Sequence, residues 1–126
     1  MNEMSSCARE DWPAITMVIF RNYQWGAEKR NSILWFDDNF VGTELDPELS
    51  YAKVANACGL KGVAVKTMEE TTKAIKQSCE DQKQGITTFV EVILNQQLGE
   101  PFRRDAMKKP VQLAGIDKND MKPQNY

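Results

Sequence analysis

The sequence predicts an α/β fold, a parallel sheet in three layers, and three observations predict it. Two continuous apolar runs, Ala14 to Phe20 (AITMVIF) and Ile86 to Leu94 (ITTFVEVIL), have the length and composition of strands covered on both faces. A shorter run, Gly62 to Val65, lies between them. The intervals between runs hold helix-length segments, and strands separated by helices pair in parallel through right-handed crossovers.

Taken in order, Met1 to Glu10 places Met4, Cys7 and Ala8 on one stripe and reads as a short helix ended by Trp12-Pro13. The first strand, Ala14 to Phe20, stops at Arg21-Asn22. Trp25 to Asn31 has room for a turn or two of helix, and Ile33 to Thr43 (ILWFDDNFVGT) is an aromatic-rich connection without a clean period. Asp46 is positioned as an N-cap with Pro47 as the first helical residue. Tyr51, Ala55 and Cys58 then form an apolar line that Gly59 closes. After the strand at Gly62 to Val65, Thr67-Met68-Glu69-Glu70 forms a capping box. It opens a helix through Glu80 with Met68, Thr72, Ile75 and Cys79 facing inward. Lys83-Gln84-Gly85 turns the chain into the last strand. The sheet domain is placed at residues 1–98, and residues 99–126 form a polar extension with a short helix at Pro101 to Lys108 and a disordered end. Three strands alone leave two bare edges, so the expected setting is a larger sheet.

Composition narrows the function. A chain of 126 residues makes one domain with a real core, and a net charge of -2 with short, interrupted basic stretches gives no nucleic-acid footprint. No stretch approaches the roughly 20 apolar residues that span a bilayer. Three cysteines without CxxC spacing read as buried free thiols of a cytoplasmic protein. Histidine is absent, which excludes a Ser-His-Asp triad, a Cys-His pair and an HExxH zinc site within the chain. Chemistry must come from carboxylates, amides, lysines or a cofactor.

The stretch FRNYQWGAEK is where a ligand is expected, because open α/β sheets bind ligands past the carboxyl ends of their strands. The Asn22 amide oxygen and the Gln24 main-chain carbonyl are hard oxygen donors that suit magnesium, which shares its shell with phosphates. Gly26 lets backbone approach a phosphate, and the amides that open the following helix meet its charge. The same residues also read as an ordinary turn, with Asn22 bonding its own backbone, Trp25 in the core, and Glu28, Lys29 and Arg30 on a solvated face.

FRNYQWG resembles the second half of the cofactor motif of thiamine diphosphate-dependent enzymes, which runs from Gly-Asp-Gly to an Asn-Asn-like pair at a strand end. CAREDWPAITMVIFRNYQWGAEKRN, FVGTELDPELSYAKVANACGLKGVAV and LGEPFRRDAMKKPV are similar to one branch of that superfamily, the sulfoacetaldehyde acetyltransferases, relatives of acetolactate synthase. The resemblance implies thiamine diphosphate and Mg2+ as cofactors. It implies Asn22 as side-chain and Gln24 as main-chain metal ligand, Trp25 and Gly26 along the diphosphate, and Glu28 and Asn31 toward the substrate. In that family sulfoacetaldehyde loses sulfite and its acetyl group passes to phosphate, giving acetyl phosphate, chemistry that the cofactor's thiazolium carbanion supplies. It further implies a dimer or tetramer with active sites between subunits. The Gly-Asp-Gly half, with its charged magnesium ligand, is expected just before Met1, and the domain that activates the cofactor is also outside this sequence. The chain therefore reads as a C-terminal fragment, inactive alone and a poor cofactor binder by itself. Other readings are a fragment of acetolactate synthase or a related lyase, a non-catalytic module that uses ILWFDDNF for a protein partner, and a flavodoxin-like nucleotide binder.

Overall fold

The computed structural model describes residues 2–97. Its elements run α1 (Asn2–Cys7), β1 (Thr16–Arg21), α2 (Gly26–Trp35), α3 (Tyr51–Ala57), β2 (Lys61–Val65), α4 (Met68–Lys83) and β3 (Thr88–Ile93). The chain divides into two compact units, one comprising Met1–Gln24 and Glu44–Gln96, the other containing Trp25–Thr43. The expected helix at Pro101 to Lys108 and the tail lie outside the described residues.

The first unit is the sheet and its cover. All pairing is parallel, in the order β1-β3-β2, with Thr16 and Lys61 both level with Thr88. Side chains alternate across a strand, so odd and even positions of β3 build two separate cores. On one face Phe89 packs with Ala55 and Leu60, joined by Met4, Cys7, Met17, Ile19 and Tyr51. The other face stacks Val90 and Val92 with Val65 under Ala74 and Ile75 of α4. The middle strand β3 is buried on both faces, as its unbroken apolar run predicts.

The outer strand β1 departs from expectation. Val18 and Phe20 are exposed, the latter at 68%. They share the α4 face, but α4 stands over β2 and β3 and leaves that end of β1 bare. An apolar run thus gives the number of faces a strand is built to cover, while position in the sheet decides how many are covered.

Two helices also differ. α3 begins at Tyr51, with the Ser50 side chain accepting the Lys53 N–H at 3.3 Å. Asp46 instead closes a turn, its Oδ1 accepting the Glu48 N–H at 2.8 Å, so an Asp-Pro pair that suits a helix start here spends its carboxylate two residues on. The capping box at Thr67 and Glu70 forms as read, yet α4 presents Ala74, Ile75, Ser78 and Asp81 to the sheet. Met68 and Cys79 point outward, because small and polar residues let the helix approach β3 closely and Lys61 draws Asp81 inward at 2.5 Å. Cys7 and Cys58 are half-buried, and Cys79 is an exposed thiol rather than a buried one.

The α3–β2 contact depends on one glycine. A Cβ at Gly62 would stand 2.2 Å from the Ala52 carbonyl oxygen, so helix backbone lies directly on the strand. Asn56 uses that closeness, accepting the Gly62 N–H at 2.8 Å and donating to the Gly62 carbonyl at 3.1 Å, which caps part of the β2 edge. Gly62→Ala is expected to push α3 away and cost about 1–3 kcal/mol, read as a lower urea midpoint of the chain.

Candidate functional site

The carboxyl end of β1 is held by a buried ionic network. Glu91, in the middle of β3, is fully buried, and the Arg21 side chain is 5% exposed. Arg21 Nη1 donates to Glu91 Oε1 at 2.8 Å, while Nη2 donates to the Asp46 carbonyl at 2.8 Å and reaches the Pro47 carbonyl at 3.3 Å. Glu91 Oε2 accepts from Ser50 Oγ at 3.0 Å and from the Ala52 N–H at 2.9 Å. Burial pushes the Glu91 carboxyl up, but the Ala52 amide, Arg21, the Ser50 hydroxyl and the Tyr51 amide together hold it below its ordinary value. Both charges are therefore paired and hydrogen-bonded, the condition under which burying them is tolerable.

Above this network the chain turns sharply. Tyr23 takes a left-handed conformation, φ 59°, which costs a non-glycine residue about 1–2 kcal/mol. The Arg21 guanidinium lies 4.3 Å from the Tyr23 ring centroid and 5.3 Å from that of Tyr51. Asn22 is half-buried, and its Oδ1 accepts the Gln24 N–H at 3.3 Å.

Gln24 then bridges Glu44 in an antiparallel pair whose flanking bonds are Leu45 N–H to the Tyr23 carbonyl and, within the second unit, Trp25 N–H to the Thr43 carbonyl, both 2.8 Å. This is the widely spaced type of pair, which leaves the N–H and C=O of Gln24 itself facing away from its partner. In an extended residue those two groups point to one side, so the Gln24 carbonyl shares a flank with the Asn22 amide oxygen that its N–H meets. The Gln24 side chain is buried, with Nε2 donating to the Gln96 carbonyl at 2.8 Å and Oε1 lacking a partner among the described residues.

The two oxygens fit magnesium as part of a shell. Both are hard donors on one flank, and neither is consumed by the sheet ladder. They supply only two of the six positions magnesium demands, and both are neutral. No cluster of three histidine, cysteine or acidic side chains that could complete a metal site occurs among the described residues. A magnesium shell built on them would be completed by further hard oxygen donors beyond these two residues.

Trp25, Gly26, Glu28 and Asn31 belong to the second unit. Trp25 is the N-cap of α2, 56% exposed and not in the core, and no side chain caps the helix. The first α2 amides are left without helical acceptors, as at any helix start, and so face outward as donors. Gly26 begins the helix, Glu28 is exposed in its first turn, and Asn31 is exposed one turn later. The helix extends to Trp35, a turn beyond the predicted end, and takes in the start of the aromatic connection.

Arg21, Tyr23 and Glu91 were not singled out from the sequence as site residues. A single glutamate inside ITTFVEVIL and a single arginine at the end of AITMVIF were the available signal. Opposite charges set singly in two apolar strands that pair are each other's natural partners.

A parallel α/β sheet with carboxamide and carbonyl oxygens gathered past a strand end defines a ligand-binding domain of the kind that holds a phosphorylated cofactor at its strand termini. Residues 1–92 match the family model described as thiamine pyrophosphate enzyme, C-terminal TPP binding domain, and the chain belongs to that family. It is 73% identical over 124 residues to a probable sulfoacetaldehyde acetyltransferase of Rhizobium meliloti (strain 1021) and 65% identical over 124 residues to the sulfoacetaldehyde acetyltransferase of Roseovarius nubinhibens, covering 98% of this chain each time. A sulfoacetaldehyde acetyltransferase of Castellaniella defragrans is 43% identical over 114 residues, 90% of the chain. The chain spans only 21%, 21% and 19% of those three relatives, about a fifth of their length. No helix among the described residues is long and apolar enough to cross a membrane.

Proposed function

We propose that this chain is the later part of the cofactor-binding domain of a thiamine diphosphate-dependent acetyltransferase, one that turns sulfoacetaldehyde and phosphate into acetyl phosphate and sulfite. The observation that carries the reading is the 73% identity to a relative of that printed name across 98% of the chain, with the Asn22 and Gln24 oxygens sharing one flank of the strand end. In this reading Asn22 Oδ1 and the Gln24 carbonyl hold Mg2+. Trp25 and Gly26 lie along the diphosphate, where main-chain amides at a helix start meet its charge. Glu28 and Asn31 face the substrate. Thiamine diphosphate, when bound, supplies the carbon nucleophile and electron sink of the reaction. The chain's own part is anchoring and orientation. The whole enzyme is proposed to be cytoplasmic and to work as a dimer or tetramer.

The full-length protein should release sulfite from sulfoacetaldehyde in the presence of phosphate and form acetyl phosphate in equal amount. Release of carbon dioxide from pyruvate with no sulfite from sulfoacetaldehyde would move the assignment to an acetolactate synthase-like lyase.

A further inference from the structure

The network beneath the strand end does more than hold two strands together. Arg21 makes contacts in three directions at once: Glu91 through Nη1, the Asp46 carbonyl through Nη2, and the Tyr23 ring, over which the guanidinium carbon lies 4.3 Å from the centroid. Glu91 is in turn fixed by Ser50 and Ala52 at the start of α3, so the carboxylate that Arg21 meets is itself held in place. Planarity matters here, because a flat fork can serve two acceptors in its plane and an aromatic ring across its face, which a point charge cannot.

What the guanidinium touches is the one strained residue of the turn. Tyr23 sits at φ 59° between the two proposed metal donors, and its backbone conformation decides whether Asn22 Oδ1 and the Gln24 carbonyl come to the same flank. A tyrosine gains nothing locally from that conformation. Its ring must be held from outside, and the guanidinium 4.3 Å away is the group that holds it.

We propose that Arg21 is a positioning residue, locked by Glu91 and the Asp46 carbonyl, that pins Tyr23 in its left-handed conformation and thereby sets the Asn22 and Gln24 oxygens for the cofactor's divalent cation. The inference rests on the functional reading above and adds to it a group that touches neither metal nor cofactor.

The test uses the full-length enzyme and follows thiamine diphosphate binding by calorimetry across a Mg2+ series, with the thermal midpoint of the cofactor-free protein measured alongside. Arg21→Lys keeps the charge opposite Glu91 but loses the flat fork. It is expected to raise the Mg2+ needed for half-saturation by roughly 10–100-fold, the range typical of lost metal-site support, without a matching fall in the thermal midpoint. Tyr23→Leu leaves the buried ion pair intact and removes only the ring, so it decides the matter even if the lysine variant fails to fold. It should show the same shift. Tyr23→Gly, at ease with positive φ, should bind close to wild type and should restore most of the affinity lost in Arg21→Lys when the two are combined. Wild-type Mg2+ dependence in both Arg21→Lys and Tyr23→Leu overturns the inference alone, as does a loss in Arg21→Lys that glycine at position 23 fails to restore. A wild-type enzyme that takes up no thiamine diphosphate at any Mg2+ concentration overturns the functional reading, and this inference with it.

Discussion

Asn22→Ala in the full-length enzyme is expected to weaken Mg2+-dependent uptake of thiamine diphosphate by more than about 100-fold, beyond the 10–100-fold typical of losing a mere supporting contact in a metal site. The other donor proposed for this chain is a main-chain oxygen that no substitution removes, so Asn22 is the one side chain through which its metal contact can be deleted. The amide oxygen also accepts the Gln24 N–H, at a long 3.3 Å. Alanine therefore removes a turn contact as well as a ligand, and the two effects must be separated. Asn22→Asp separates them, because a carboxylate oxygen can take both places. Its cation affinity should stay near wild type while the added negative charge opposes the diphosphate. Equilibrium dialysis of cofactor and metal, read separately, should give alanine low in both and aspartate low in cofactor only. Equal retention of metal by wild type and Asn22→Ala would remove this residue from the shell.

The sequence carried most of the fold because its signals were local. The capping box at Thr67 and Glu70, the left-handed glycines 59 and 85 that end α3 and α4, and the two apolar runs each act over a few residues, and each appears where it was read. The errors came where a neighbour decides. Asp46-Pro47 is a fair helix start by itself, yet Ser50 wins because its hydroxyl can also donate to Glu91, forty-one residues away. Of the expected inward face of α4, Met68, Thr72, Ile75 and Cys79, only Ile75 packs on the sheet, because the helix turns on Asp81 and its partner Lys61 in another strand. At the site, the two oxygens were legible as a chemical pattern at a strand end. Their support was not, since it joins β1, β3 and the turn before α3 through one arginine, and no short window of sequence contains all three.

Glu91→Leu is expected to destabilise the chain by about 3–5 kcal/mol, the usual result of removing one partner of a buried ion pair. The change leaves Arg21 buried with no carboxylate to face, only carbonyls and the two tyrosine rings, and it removes the acceptor of the Ala52 N–H at the start of α3. Urea unfolding reads it directly, and a midpoint within error of wild type would mean that the pair carries no weight in the fold. Acid tests the same group independently. The folded carboxyl titrates below its ordinary 4.5, so the charge it carries stabilises the fold fully above that value and ceases to do so as pH falls through the lower, folded one. Asp81, held low first by its hydrogen bond to Lys61 and then by that to Gln77, loses its contribution in the same direction, so wild type alone cannot assign the effect. The comparison with Glu91→Gln can, because Asp81 is present in both. The stability gap between wild type and Glu91→Gln should be constant from pH 7 down to about pH 5 and close progressively below 4.5. A gap that stays flat or widens in acid would show that position 91 is not ionised in the folded chain, and Arg21 would then have to draw its orientation from the Asp46 and Pro47 carbonyls and the tyrosine rings, with no charged partner.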